Sequence, residues 1–302
     1  MSTAGISQRW FSNFLAGQVE PGSAVWFFRR DLAAMVSLIF VILLVVAAVF
    51  VPWLTPYAAE GLGEPNLANK FLPPSLEHPF GTDSLGRDQG ARVLYGARTS
   101  LSMGLMVVGL AVLIGTPLGA LAGYFGGWLD EIIMRITDIF LAFPPLLLAI
   151  AIAAALGPSF TNAMLAIALT WWPWYTRLVR AQAISVRERH YVTAARGMGV
   201  PDLTIIGRHI LPNVLTPVLV QATLDLGSAI LTAAGLSFIG LGPQPPTADW
   251  GVMINEGRLY ILSGRWWVAT FPGLMIFLTT LAFNLLGDSV RDVTDPRTRD
   301  AS

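Results

Sequence analysis

Cysteine is absent from the 302 residues, which excludes a disulfide framework, a thiolate nucleophile, an iron–sulfur cluster and any Cys-based zinc site. Lysine is nearly absent. Lys70 is the only one, in Asn-Leu-Ala-Asn-Lys-Phe, without the glycines that would cradle a phosphate, so the chain has no Walker-type P-loop. His78, His190 and His209 are scattered, with no carboxylate or second histidine at metal-ligand spacing; they read as structural or interfacial, and no metal site is expected. Charge is scarce altogether: 13% of residues carry one, against roughly 25% in a typical soluble domain. The 19 basic and 19 acidic residues cancel, which removes any whole-chain argument for a basic nucleic-acid binder. No internal repeat is visible, so a solenoid is excluded.

What the chain has instead is hydrocarbon. Hydrophobic residues make up 54% and mean hydropathy is +0.61. Lipid cannot satisfy a backbone hydrogen bond, so a spanning segment is a helix of about 20 apolar residues or a strand of a closed barrel. The runs here are too long for barrel strands. Leu32 to Leu54 and Ser100 to Tyr124 carry no charge. Ile132 to Leu156 carries Arg135 and Asp138 near its start and is interrupted by Pro144-Pro145. Gly157 to Thr176 is uncharged, with Trp171, Trp172 and Trp174 at one end; Val214 to Gly240 holds only Asp225; Trp266 to Gly287 holds none. Six spans are expected. The first is read as an uncleaved anchor, since its uncharged core exceeds the roughly 7–15 residues of a signal-peptide core.

Orientation follows from the flanking arginines. With the N-terminus inside, the inner segments hold Arg9, Arg29, Arg30, Arg177, Arg180, Arg187, Arg189, Arg196, Arg208, Arg291, Arg297 and Arg299. The outer segments hold Lys70, Arg87, Arg92, Arg98, Arg258 and Arg265, half as many. Both termini are therefore expected in the cytoplasm.

Within the spans, Gly115, Gly119 and Gly123 recur at every fourth position, a small-residue face that admits close approach by a neighbouring helix. Arg135 and Asp138, three apart, are expected to pair along one helix. Asp225 has no nearby cation in sequence; two roles stand open, an acid lining a cavity and attracting a substrate amine, or a partner for a neighbouring subunit. Ser237 lies one position too far from Gly240 for a nucleophile elbow, and no catalytic partner set accompanies it.

The long polar connection, about 177–212, contains Tyr191-Val-Thr-Ala-Ala-Arg-Gly-Met-Gly199 and ends at Leu211-Pro212. Gly199 suits a helix C′ position, Pro201 and Asp202 suit the first turn of another helix, and Pro212 is expected to bound that helix. Two short helices meeting at a glycine turn are predicted. Ala194 and Ala195 are expected to leave one side flat for a partner's groove, ringed by Arg187, Arg189 and Arg196. A plain cytoplasmic loop obeying the positive-inside rule is the alternative.

Ala194-Ala195-x3-Gly199 with Leu211-Pro212 resembles the EAA loop of ABC importer permeases, Glu-Ala-Ala-x3-Gly-x9-Ile-x-Leu-Pro; Thr193 replaces the glutamate and Ile210 falls one place late. His78-Pro-Phe-Gly-Thr-Asp-Ser-Leu-Gly-Arg-Asp88, Leu94 to Leu101, Ala234 to Gly242, Asp249-Trp-Gly251, Asn255 to Arg258, Ala282 to Asp288 and Asp295-Pro-Arg297 resemble the C-type permease subunit of the dipeptide/oligopeptide (peptide/nickel) ABC importers. The resemblance covers roughly 22–298.

The resemblance implies an all-α integral membrane fold of six transmembrane helices: a methionine-importer-like type I permease core plus one N-terminal helix. Residues 1–97 would hold the N-terminus, first helix and an extracytoplasmic segment, 98–288 the core, and 289–302 a cytoplasmic tail. It implies a non-enzymatic permease of an ATP-driven, binding-protein-dependent importer in the bacterial plasma (inner) membrane. Di- or oligopeptides are the leading cargo; nickel chelates, glutathione, opines and oligosaccharides are carried by the same machinery. The implied partners are a second, B-type permease, two ATPase subunits holding ATP and Mg, an extracytoplasmic binding protein and membrane lipid. No cofactor is expected in this chain. Tyr191, Thr193, Ala194, Ala195, Arg196, Gly199, Leu211 and Pro212 would couple to the ATPase; Thr193 brings a hydroxyl where the family has an acid. Asp83, Arg87, Asp88, Asp249, Trp250, Asn255, Glu256 and Arg258 read either as surface turns or, by the resemblance, as a docking surface and outer gate. An ion-coupled secondary transporter is the alternative from another class; it would need more intramembrane acids than Asp225.

Overall fold

The computed structural model describes residues 31–294. Arg9, Arg29, Arg30, Asp295 to Arg297 and Arg299, used above for orientation and resemblance, lie outside the described residues. Those described form helices and connecting turns, with one isolated bridge between Thr82 and Asp88.

Side-chain caps start the long helices where the sequence offers them. The Asp31 carboxylate accepts the Ala33 and Ala34 N–H groups at 2.9 and 3.1 Å, opening α1, Leu32–Leu54. It also accepts the Ser289 hydroxyl at 2.7 Å, which ties α1 to the end of the last helix. Only Ala34, Ser37, Leu44, Ala48 and Val51 of α1 are buried; its other aliphatic side chains form an outward face for hydrocarbon to cover. Asp88 caps α2, Gln89–Phe125, at the Ala91 N–H. At 1.5 Å per residue α2 is about 55 Å long, so it extends beyond the membrane core. The division expected at 97/98 falls inside this helix.

After Gly126 the chain forms α3, Gly127–Leu141, and α4, Pro145–Leu156. These were expected as one span; they are bent by 86°. Pro144 and Pro145 lack N–H donors and disfavour helical backbone before them, which breaks the helix there. Ser159 caps α5, Phe160–Arg187, which runs well past the expected Thr176 end. Beyond it come α6, His190–Gly197, and α7, Asp202–Ile205, then a π turn, Ile206–Ile210, leading without interruption into α8, Leu211–Phe238. Pro212 therefore does not end a helix as expected. The Leu211 N–H reaches back to the Ile206 carbonyl, and this widened turn accommodates a proline that has no N–H to give. The polar connection between α5 and α7 is correspondingly shorter than 177–212. A short helix α9, Trp250–Arg258, and the final α10, Trp267–Thr294, follow.

Of the expected spans, α1, α2, the continuous Asp202–Phe238 stretch and α10 are each long and apolar enough to cross a membrane, and α3 with α4 makes a bent fifth. The remaining one, α5, is 28 residues long but carries Arg177, Arg180 and Arg187. It packs its length against α2, and the glycine stripe is the reason. A Cβ on Gly115, Gly119 or Gly123 would lie 2.5–2.6 Å from the carbonyl oxygens of Trp172, Thr176 and Arg180 respectively. Only glycine allows the two backbones this close.

Candidate functional site

Three groups of side chains are candidates, and the first is the connection between α5 and α8. Its helix α6 ends as the sequence predicts: Gly199 has φ +76°, its N–H bonds to Arg196 O at 3.0 Å and the Val200 N–H to Ala195 O at 3.2 Å. This is the Schellman pattern, with glycine at C′. Val192 and Ala195 are buried and belong to the same apolar core as Tyr175 and Val179 of α5, Ile205 of α7 and Val214 of α8. Ala195 therefore faces the chain's own interior, which corrects the expectation of a flat outward pair; Tyr191, Thr193, Ala194 and Arg196 face outward. The Thr193 hydroxyl donates back to Arg189 O at 3.4 Å.

The ring of arginines is likewise partly turned inward. Arg187 donates from Nη1 to the carbonyls of Gly123 and Tyr124, both at 3.2 Å, satisfying the exposed C-terminal end of α2. Arg196 lies 5.0 Å over the Tyr124 ring, and the Tyr124 hydroxyl donates to Asp202 Oδ1 at 2.5 Å. Tyr124 and Asp202 thus clamp both sides of the glycine turn to α2. Leu211 packs partly into the core and Pro212 is exposed.

The second group lies between α4, α5 and α8, around a cavity of about 860 Å³. Asp225 lines it, held by two uncharged donors: the Tyr175 hydroxyl at 2.6 Å and Gln221 Nε2 at 2.9 Å. Trp171, Trp174 and Arg177 form the facing wall. The expected Arg135–Asp138 pair does not form. Asp138 instead accepts from Arg177 Nη2 at 2.6 Å, and Arg135 approaches Glu131 at 3.7 Å, because the break at Pro144-Pro145 swings α3 across α5. Asp130 takes Arg180 in a bidentate contact at 2.5 and 2.6 Å.

The third group corrects a larger expectation. Asp83, Arg87, Asp88, Asp249 and Trp250 are 0–3% exposed, so they cannot themselves be a docking surface. Arg87 Nε donates to Asp83 at 2.6 Å, and Arg87 and Arg92 both reach Glu256 Oε2, at 3.1 and 3.2 Å. His78 Nδ1 lies 2.8 Å from Asp88 Oδ2, a pairing across ten residues that ligand spacing did not suggest. Glu60 accepts the Asp88 N–H at 2.6 Å and Asn66 Nδ2 at 3.0 Å. Trp250 Nε1 donates to Val93 O at 3.0 Å. Asn255 donates to the Phe238 carbonyl, and exposed Arg258 lies 5.1 Å over the Phe238 ring. The group is a buried polar lock that holds the segment before α2, and α9, on the start of α2. Glu60, Arg92, Tyr124, Asp202, Tyr175 and Arg177 were missed as site residues; their partners are remote in sequence, so no local pattern marks them.

With this geometry in place, residues 115–300 match the family described as Binding-protein-dependent transport system inner membrane component, and residues 22–74 match the N-terminal TM domain of oligopeptide transport permease C. The chain is 48% identical over 273 residues to the probable D,D-dipeptide transport system permease protein DdpC of Escherichia coli K12, covering 90% of each chain. It is 48% identical to the dipeptide transport system permease protein DppC of Alkalihalophilus pseudofirmus, covering 89% of this chain and 87% of that one. The glutathione transport system permease protein GsiD of Escherichia coli O6:K15:H31 is also 48% identical, with 89% and 88% covered. Among solved structures, the inward-facing MetNI methionine ABC transporter superposes at TM-score 0.55 and 20% identity over 67% of this chain and 96% of that one. That likeness bears out the methionine-importer-like core.

Proposed function

Because the chain belongs to the family of binding-protein-dependent transport system inner membrane components, we propose that it is one of two different permease subunits of an ATP-driven importer of di- or oligopeptides. Two partner ATPases would bind ATP and Mg and perform the hydrolysis, and an extracytoplasmic binding protein would deliver the cargo. The bilayer would be a bacterial plasma membrane, with both termini in the cytoplasm.

The observation that carries this reading is α6: an outward face of Tyr191, Ala194 and Arg196 backed by Val192 and Ala195 in the common core. A displacement of α6 by the closing ATPases cannot be absorbed locally. Close-packed cores are bistable rather than continuously deformable, so the push would move α2, α5 and α8 between two arrangements and open the path on alternate sides. The peptide-like cargo in the names of three relatives supports a small peptide here.

The test reconstitutes the full importer with its binding protein in proteoliposomes and follows labelled alanyl-alanine. Uptake should require ATP and binding protein and survive collapse of ion gradients. Uptake that follows an ion gradient without ATP would overturn the reading in favour of a secondary transporter. Mass spectrometry of the ligand carried by the native binding protein identifies the cargo; a metal chelate there would overturn the peptide assignment.

A further inference from the structure

We infer that the cavity between α4, α5 and α8 is a two-ended subsite for a small zwitterion, with Asp225 receiving an ammonium group and Arg177 a carboxylate. This rests on the importer reading above and names the substrate groups the path recognises.

Asp225 lies within a spanning helix, where an acid is expensive to keep. Two uncharged donors orient its carboxylate, Tyr175 at 2.6 Å and Gln221 at 2.9 Å, and neither neutralises it. Such an acid is fixed in position yet still complementary to a cation. The facing wall suits the same guest. Trp171 and Trp174 line the cavity, and indole faces attract ammonium groups. The second charge, Arg177, lines the same cavity from α5. Only its Nη2 is engaged, by Asp138 at 2.6 Å, which steadies a guanidinium that has five donors in all. Its remaining N–H groups can take a carboxylate.

The size agrees. About 860 Å³ lies within the range of small-molecule sites, roughly 300–1,000 Å³. Pro145, Leu146 and Leu178 supply apolar wall beside the two charges. Side chains of the guest would then meet unspecific surface while its two ends meet charge, a pattern that accepts many sequences of one short length.

The test uses the assembled importer in nanodiscs without binding protein and measures equilibrium binding of three probes: alanyl-alanine, its N-acetyl derivative and its C-terminal amide. Wild type should bind alanyl-alanine most tightly. Asp225→Asn keeps an acceptor for Tyr175 and should weaken alanyl-alanine about tenfold while leaving the N-acetyl probe unchanged. Arg177→Gln should do the same relative to the amide. If Asp225→Asn weakens all three probes equally, or wild type binds the three alike, the inference falls. ATP-driven uptake by the same wild-type assembly is read separately, so a failed subsite with intact pumping is distinct from a failed importer reading.

Discussion

The hydroxyl of Tyr124, in the last turn of α2, donates to Asp202, the first residue of α7, at 2.5 Å. Arg196 of α6 lies over the same ring at 5.0 Å. One side chain thus joins the C-terminal end of a long apolar helix to both halves of the exposed connection. The Schellman bonds fix the glycine turn at the end of α6, and the Tyr124 contacts tie that turn and the start of α7 to one ring as a structural unit. A unit held at one aromatic pivot is suited to convert a sideways push into tilt of α2.

Tyr124→Phe removes the hydroxyl and keeps the ring. The cost in stability is roughly 1.5–3 kcal/mol, the worth of a hydrogen bond to a charged group. Peptide transported per ATP hydrolysed should fall in proteoliposomes, because the connection loosens from α2. An unchanged ratio would show that Tyr124 only stabilises.

Ala194 and Ala195 should respond differently to the same change. Ala194→Arg places a long charged side chain on the outward face; membrane levels should hold while uptake falls about tenfold, equivalent to about 1.4 kcal/mol at one contact. Ala195→Arg forces a charge into a site that is 4% exposed and should cost folded protein in the membrane. Immunoblotting of membranes beside uptake separates the two, and equal levels for both variants would contradict the burial of Ala195.

Gly119→Ala tests the α2–α5 contact. The added Cβ would sit 2.5 Å from Thr176 O, and backbone cannot yield cheaply, so the helices must part at a cost of about 1–3 kcal/mol. Thermal unfolding of the purified importer in detergent should come at lower temperature. Gly109→Ala, inside the same helix with open space around it, is the control and should leave the unfolding temperature unchanged or raise it slightly, by the gain in helix propensity.

Much of this was legible because it is local. The four-residue spacing of Gly115, Gly119 and Gly123 marks a contact face whatever the partner, while the caps Asp31, Asp88, Ser159 and Asp249, each one position before its helix, went unread. Gly199 announces its own left-handed turn. The buried arginines were not legible. Arg87 and Arg92 look like surface charge in sequence, yet their partner Glu256 lies 169 and 164 positions away. Arg177 and Asp138, 39 apart, meet only because α3 is bent off the span it was expected to continue. Pro212 misled for another reason: the π turn Ile206–Ile210, with the Leu211 N–H on the Ile206 carbonyl, carries the helix past a proline that would otherwise stop it.

Asp249 should make the buried polar lock sensitive to pH. It is 2% exposed, and burial pushes its carboxyl above the usual carboxylate range, against the hydrogen bonds it accepts from Ser100 and the Gly251 and Val252 N–H groups. A raised folded-state pKa means that the folded protein holds the proton more tightly than the unfolded chain. The stabilising contribution is therefore complete below the ordinary carboxylate pKa and is lost as pH rises through the raised one. Asp249→Asn can keep both backbone acceptor contacts at Oδ1 and turn its amide toward Ser100, without the charge. The variant should match wild type in acid and unfold at higher temperature than wild type at pH 8, read by thermal melts of the purified importer across that range. A variant less stable than wild type at pH 8 would mean that the ionised carboxylate is favoured there, as a charge at the start of α9.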